Sequence, residues 1–261
     1  MKNRKDYWNR EYTQYWKDRV VEANESDSTM SKIIDDDIKT TSTKVYENSI
    51  SELDITNKDN VIEIGVGFGR SLPFLSNKAK SITAIDISDA MIKEVKMSAK
   101  FDNVEFYVMP CEETDFNNNT FDVCVCFAVF DATYQKEALI EINRICKKNA
   151  RVLITGKNDN YRDDDILALN AEIGARAKNH PNYFTNVHKI IKIMDSFGFK
   201  IISSKYFSKR GDFAKNKYYS YPPDKFYEYQ FILHKTSKIK IDELDTISSD
   251  YSKTYLRSKN I

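Results

Sequence analysis

Glu63-Ile64-Gly65-Val66-Gly67-Phe68-Gly69 is the stretch on which the reading of this chain turns. The apolar pair Val61-Ile62 precedes it and a helical pattern follows, so it reads as strand, glycine turn, helix. Glycines at alternate positions let the backbone bend tightly and let a ligand lie directly against it. A helix that begins there offers free N–H groups and the positive end of its dipole to that ligand. Asp86 closes the next apolar strand, 17 residues past Gly69. A ribose-binding carboxylate belongs at about that place in a doubly wound sheet.

Working outward, strands and helices alternate. Val61–Ile64, Ser81–Asp86, Val104–Val108, Phe121–Phe127 and Arg151–Thr155 read as strands. Helices are expected over Arg70–Asn77, Asp89–Lys100 and Gln135–Lys147, with Pro73 tolerable in a first turn and Ser88 as an N-cap. This alternation predicts a mostly parallel sheet with helices on both sides. Residues 157–184 break the rhythm and read as an insert over the carboxyl edge of the sheet, its helix opened by Asp163-Asp164-Asp165. Helix Asn186–Phe197 and strands Phe199–Phe207 and Phe226–His234 follow. Near the start, Trp8, Tyr12, Tyr15, Trp16 and Arg19 form a helical stripe, and a second helix is expected over roughly 41–53. The division is therefore 1–56 as an N-terminal helical cap, 57–234 as the sheet domain, and 235–261 as a polar tail.

Composition narrows the function. The chain has 261 residues, with 40 Lys+Arg against 39 Asp+Glu. A net charge of +1 makes no electrostatic case for nucleic acid or a membrane surface. No apolar run approaches a membrane span, and the first residues lack the apolar core of a secretory signal. Cys111, Cys124, Cys126 and Cys146 have poor zinc spacing and read as small buried side chains in a reducing, cytoplasmic setting. No metal site is expected; Asp35-Asp36-Asp37 and Asp163-Asp164-Asp165 read as solvated helix starts.

The glycine pattern discriminates between cofactors. A nicotinamide fingerprint needs Gly-x-Gly-x-x-Gly, and its third slot here is Arg70. Glu63-x-Gly65-x-Gly67-x-Gly69, then Asp86-Ile87-Ser88 with Met91, then Phe121-Asp122-Val123 resemble the class I S-adenosylmethionine-dependent methyltransferases. The resemblance is strongest over residues 58–156, and residues 186–234 fit that family's final helix and antiparallel strand pair. It implies a doubly wound, seven-stranded α/β sheet and S-adenosyl-L-methionine as cofactor. It implies that Glu63, Gly65, Gly67 and Gly69 line the methionine end. Asp86 would accept the ribose hydroxyls, Ile87 would pack on the adenine, and Cys111 and Glu112 would sit at the adenine edge. Phe127 would lie near the methyl donor. The chain departs from the family at Pro110, where many relatives carry an acid, and at Lys148-Asn149-Ala150, where many carry Pro-Gly-Gly.

The acceptor side is read from residue chemistry. Asp131, in the loop after the fourth strand, and His180, in the insert, are the candidate catalytic groups. Tyr218-Tyr219 and Tyr221-Pro222-Pro223 are candidates for a loop bordering the pocket, with a packed surface turn as the alternative. Ala128-Val129-Phe130-Asp131 stands where nucleic-acid base methyltransferases resemble one another in an Asn/Asp-Pro-Pro-aromatic motif, which argues against a base as acceptor. The expected function is methyl transfer to a small polar acceptor, first a hydroxyl on a sugar or related metabolite. N-methylation of a small amine and a non-catalytic cofactor-binding scaffold are the alternatives. A homodimer is left open.

Overall fold

The computed structural model describes residues 2–12, 14, 44–98, 101–236, 239 and 246–260. Tyr15, Trp16 and Arg19 of the expected N-terminal stripe lie outside the described residues.

Helix α1 (Lys2–Asp6) continues as a π-helical turn over Tyr7–Tyr12, and α2 spans Lys44–Ser51. Strands β1 (Asn60–Ile64), β2 (Ser81–Asp86), β3 (Val104–Val108) and β4 (Phe121–Cys126) then alternate with α3 (Leu72–Ser76), α4 (Asp89–Ser98) and α5 (Gln135–Ile145). Strand β5 (Cys146–Lys157) leads into the insert helix α6 (Ile166–Ala177) and the short β6 (Phe184–Thr185). Helix α7 (Val187–Ile193), β7 (Phe199–Phe207), β8 (Glu228–Lys235), β9 (Ser248–Ser249) and α8 (Lys253–Ser258) complete the order.

The main sheet has seven strands in the order β3-β2-β1-β4-β5-β8-β7. β1 to β5 pair parallel, and β8 runs antiparallel to both neighbours. This is the mostly parallel sheet the alternation predicts, with the seven strands and the antiparallel pair that the resemblance implies. Reversal between β1 and β4 opens a crevice at their carboxyl ends, where ligands bind in such sheets.

Local chemistry explains the elements. Val61, Ile62, Val123, Cys124, Val125 and Cys126 are fully buried, as central parallel strands require. Pro73 sits in the first turn of α3. The Met91 N–H donates to Ser88 Oγ at 3.2 Å, so Ser88 does cap α4. Asp165 caps α6 by accepting from Ala168 N at 3.1 Å, while Asp163 and Asp164 form exposed ion pairs with Lys225, Arg257, Arg162 and Lys209. Gly198, at φ 75°, ends the 3₁₀ turn after α7.

Two features differ from expectation. Strand β5 starts at Cys146, directly after α5, so Lys148-Asn149-Ala150 lies within it. Asn149 at φ 66° and a register shift opposite Phe121–Val123 absorb these residues. The segment 246–260 is also structured. β9 pairs antiparallel with β6, and Ser252 donates its N–H and Oγ to the buried Glu172 of α6 at 3.0 and 2.5 Å. Ile247 is buried. Long-range partners, not local pattern, order this stretch.

Candidate active site

A cavity of about 410 Å³ opens at the carboxyl ends of β1, β2 and β4. Its size lies within the ~300–1,000 Å³ of small-molecule clefts. Glu63, Gly65, Gly67, Asp86, Ile87, Cys111, Glu112 and Phe127 all line it. Gly69 does not: a Cβ there would meet Val95 Cγ2 at 2.7 Å and Leu72 Cδ1 at 2.9 Å, so its role is close helix packing.

The three turn glycines divide the work. Gly65 has φ +70°, and a Cβ on it would strike Val129 Cγ2 at 2.4 Å. Gly67 has φ +50° with nothing within 4 Å of a built Cβ. One glycine is demanded by the protein's own packing, the other leaves space for a ligand. Asp86 braces this turn. Its Oδ2 accepts from Gly67 N at 3.0 Å and its Oδ1 from Ser88 N at 2.9 Å. Burial nevertheless pushes the Asp86 carboxyl up to about 6, against the pull of those backbone N–H groups.

Glu63 closes β1 from below. It is 4% exposed, and Ser71 Oγ donates to its Oε1. Its Oε2 is buried without a hydrogen-bond partner. Burial, reinforced by the charge of Asp86, raises the Glu63 carboxyl to about 7. An unsatisfied buried acceptor in a cavity wall is costly alone and marks a place for a donor from a ligand.

The N-terminal helix covers this cavity with Arg4, Trp8 and Tyr12 in its wall. Arg4 grips Glu112 in a bidentate pair at 2.6 and 2.8 Å, and both side chains are 5% exposed. Glu112 Oε1 also accepts from Tyr134 N at 2.8 Å, and the Arg4 guanidinium lies 4.4 Å from the Tyr134 ring centroid. Glu112 is thus at the expected edge of the cavity, with its carboxylate engaged by the covering helix. Cys111 beside it is buried, which drives its thiol well above the usual range.

Elsewhere in the wall the Phe127 ring lies tilted by 36° against Tyr46 at 4.2 Å and meets Phe213 at 5.6 Å. Ala128, just after β4, holds φ 56° while its N–H donates to Thr155 Oγ1 at 2.7 Å. Such a conformation in a non-glycine residue persists where surrounding structure enforces it, often beside a site. Arg210, in the loop after β7, also reaches the wall, anchored by Tyr227 Oη at 3.0 Å.

Asp131 and His180 come together, but neither lines the cavity. Asp131 pairs with Lys157 Nζ at 2.5 Å. Tyr7 Oη and His180 Nδ1 are 2.8 Å apart, and the rings of Tyr7, Trp8 and Tyr12 surround the imidazole at 5.1, 5.1 and 5.9 Å. Burial, then repulsion from Lys157, lowers His180 to about 4, so it is neutral near pH 7. Tyr218, Tyr219 and Tyr221 are exposed and lie outside the wall. Sequence reasoning missed Tyr46, Arg70, Met109 and Arg210 in the wall; none carries a motif signal. Among the described residues no cluster of His, Cys, Asp and Glu could hold a metal ion, and no helix is long and apolar enough to cross a membrane.

In sequence, residues 62–154 match the family described as methyltransferase domain. Over those residues the chain is similar to that domain family. This domain is similar to a phosphatidylethanolamine N-methyltransferase of Cereibacter sphaeroides, 32% identical over 46% of this chain and 60% of that protein. Other curated relatives are matched over as little as 43% of their length, so the chain spans about half the length of the proteins it resembles. The fold is shared with a SAM-dependent methyltransferase from Aquifex aeolicus at TM-score 0.52 and 16% identity, covering 73% of this chain and 89% of that one. It is shared also with the [4+2]-cyclase SpnF at TM-score 0.57 and 13% identity, covering 74% and 80%. These structural likenesses speak to fold alone.

The residues of the cavity fit S-adenosylmethionine, the cofactor that the sequence resemblance implies. The orphaned Glu63 Oε2 suits an ammonium, and the open face of Gly67 admits a ligand against the backbone. Ile87, Met91 and Cys111 provide an apolar slot beyond Asp86.

Proposed function

We propose that this chain transfers a methyl group from S-adenosylmethionine to a small polar acceptor held between Phe127, Tyr46 and the N-terminal helix. The observation that carries the reading is the unpartnered, buried Glu63 Oε2 facing a glycine turn that leaves room for a ligand. Glu63 would hold the methionine ammonium, Asp86 the ribose hydroxyls, and Ile87, Met91 and Cys111 the adenine. The cofactor supplies a methyl group already activated on a sulfonium. The protein's part is alignment and exclusion of water. Arg4, Trp8 and Tyr12 close the cavity from above, and the aromatic faces of Tyr46 and Phe127 favour a cation beside them.

The acceptor atom follows from where bases stand. A hydroxyl, such as that of a sugar, needs a general base at the reacting oxygen. Asp131 is held by Lys157 and His180 by Tyr7, both behind the wall, which suits them to positioning rather than proton removal. An amine needs only to be held neutral. Aromatic walls, and a relative whose name specifies an N-methyltransferase, favour the amine. A sugar-type hydroxyl is the second reading, supported by the polar insert side chains Lys157 and Asn182 behind the cavity.

Calorimetry with S-adenosylmethionine and S-adenosylhomocysteine, then transfer of labelled methyl to a panel of small amines and sugars, tests this. Binding of both cofactor forms and transfer to an amine are expected, with Gly67→Arg abolishing both. Tight binding without transfer to any acceptor would favour a cofactor-binding scaffold. No binding by well-folded protein would sink the proposal.

A further inference from the structure

Among the described residues three arginines and three acids line the cavity: Arg4, Arg70 and Arg210 against Glu63, Asp86 and Glu112. Arg4 is spent on Glu112. Arg70 follows the glycine turn directly and acts on the Tyr46 hydroxyl, which leaves it beside the methionine end of the wall. Arg210 reaches the same wall from a distant part of the chain, the turn after β7. The cofactor site described above gives it no task.

The position of Arg210 is fixed at both ends. Its backbone N–H donates to Asp165 Oδ2 at 2.8 Å, the same acid that caps α6. Its Nη1 donates to the buried Tyr227 Oη at 3.0 Å, and the guanidinium carbon lies 5.9 Å from that ring's centroid. A phenol holds the guanidinium in place without neutralising it. Phe213, three residues on, meets Phe127 at 5.6 Å and Phe207 at 4.7 Å, which seats the turn on the Phe127 side of the cavity. Neighbouring lysines are directed to acids: Lys209 pairs with Asp164 at 2.8 Å and Lys157 with Asp131 at 2.5 Å. Glu228 feels the charge of Arg210, but burial holds that carboxyl up to about 7, so near neutral pH it offsets only part of the charge.

Charge balance then selects the acceptor. Arginines and acids in the wall are equal in number. S-adenosylmethionine carries a sulfonium, an ammonium and a single carboxylate, so its binding leaves the cavity net positive. One arginine, Arg70, suffices for that carboxylate. Beside a sulfonium and Arg210, an acceptor of net positive charge is repelled and one with an anionic group is attracted. We propose that the methyl acceptor carries an oxyanion, a carboxylate or a phosphate ester, and that Arg210 receives it through charge-assisted hydrogen bonds. The inference rests on the methyl-transfer reading above and holds for an amine or a hydroxyl acceptor. For an amine, the same positive field favours the neutral form, whose lone pair takes the methyl group.

The test uses the full chain loaded with S-adenosylhomocysteine. Propionate, propyl phosphate, propylammonium and 1-propanol share a carbon chain length and differ in charge; each is titrated by saturation-transfer NMR at fixed ionic strength. Saturable binding of an anion is expected, weakened at least about ten-fold in Arg210→Gln and partly kept in Arg210→Lys. The tighter of the two anions identifies the group as carboxylate or phosphate. S-adenosylhomocysteine affinity is expected to stay unchanged in both variants. If Arg210→Gln weakens it at an unaltered melting temperature, Arg210 serves the cofactor's own carboxylate and the proposal fails. Wild type gives a second readout: the bound anion should protect Arg210 from phenylglyoxal, followed by peptide mass spectrometry. Full modification of Arg210 at saturating anion would overturn the proposal even where Arg210→Gln does not fold. Equal anion binding by wild type and Arg210→Gln, or tighter binding of propylammonium than of either anion, would overturn it and leave methyl transfer standing. A folded chain that takes up no S-adenosylhomocysteine would sink the methyl-transfer reading and the proposal with it.

Discussion

Replacing Glu63 by Gln is the sharpest probe of the cofactor site. In the folded, cofactor-free protein the Glu63 carboxyl ionises at about 7 rather than 4.5. The folded state therefore holds a proton that the unfolded chain has lost over that window. Stability is fully present below about 4.5 and falls as pH rises through about 7. At ~1.4 kcal/mol per pH unit, that difference amounts to roughly 3 kcal/mol. Gln keeps an acceptor for Ser71 Oγ and cannot ionise, so Glu63→Gln removes the penalty. The assay is urea unfolding at intervals from pH 5 to 8. Asp86, itself raised to about 6, and His180, lowered to about 4, titrate in the same range. His180 works with the opposite sign, since the unfolded state binds its proton first on acidification. The quantity to read is thus the difference between wild type and variant, in which His180 cancels and Asp86 cancels in part. Wild type should lose roughly 2.5 kcal/mol relative to Glu63→Gln on going from pH 5 to 8, since part of the difference is already spent at pH 5. Cofactor affinity should move the other way, weaker in the variant. A difference that stays flat across this range would refute the claim that Glu63 is a buried acid awaiting a cation.

Other outcomes follow from the same geometry. Gly65→Ala should cost about 1–3 kcal/mol of stability, because its Cβ meets Val129 at 2.4 Å, as urea unfolding would report. Gly67→Ala should cost only ~1–2 kcal/mol for its left-handed backbone, yet abolish heat of cofactor binding in calorimetry. Arg4→Ala leaves Glu112 buried without its cation, a loss of ~3–5 kcal/mol if the pair could not open. Undocking of the N-terminal helix relieves it, so stopped-flow release of S-adenosylhomocysteine should quicken at least about ten-fold with little change in global stability. Between pH 6.5 and about 4, wild type should lose stability through His180, and His180→Gln should lessen that loss in an acid titration.

How much of this was legible in the chain depends on how local the cause is. Gly65, Gly67 and Asp86 act through backbone within one strand–turn–strand unit, so their spacing alone placed them at the cavity. The parallel pairing followed from alternation, since Val61 and Val123 sit in continuous apolar runs. The start of β5 was hidden because Lys148 and Asn149 look like a turn, and only the bulge opposite Phe121–Val123 makes strand of them. The order of residues 246–260 was hidden too, since Ser252 gains its partners from Glu172, 80 residues away. Arg4 gives no local sign of meeting Glu112, 108 residues on.

Most carboxylates along the carboxyl edge of the sheet are committed. Asp131, Glu112 and Asp165 each meet a cation or a backbone donor, and such pairs hold elements together. Glu63 keeps one buried oxygen without a donor. Burial raises it to about 7. Leaving such an acid in place has a stability cost, since a buried carboxylate with a free lone pair is destabilising. The cost makes sense if it awaits a positively charged ligand group, which the ammonium of the cofactor would supply. On this account Glu63→Gln should be more stable than wild type at pH 8 and lose cofactor binding. A variant less stable than wild type at pH 8 would mean that the acid serves the fold instead.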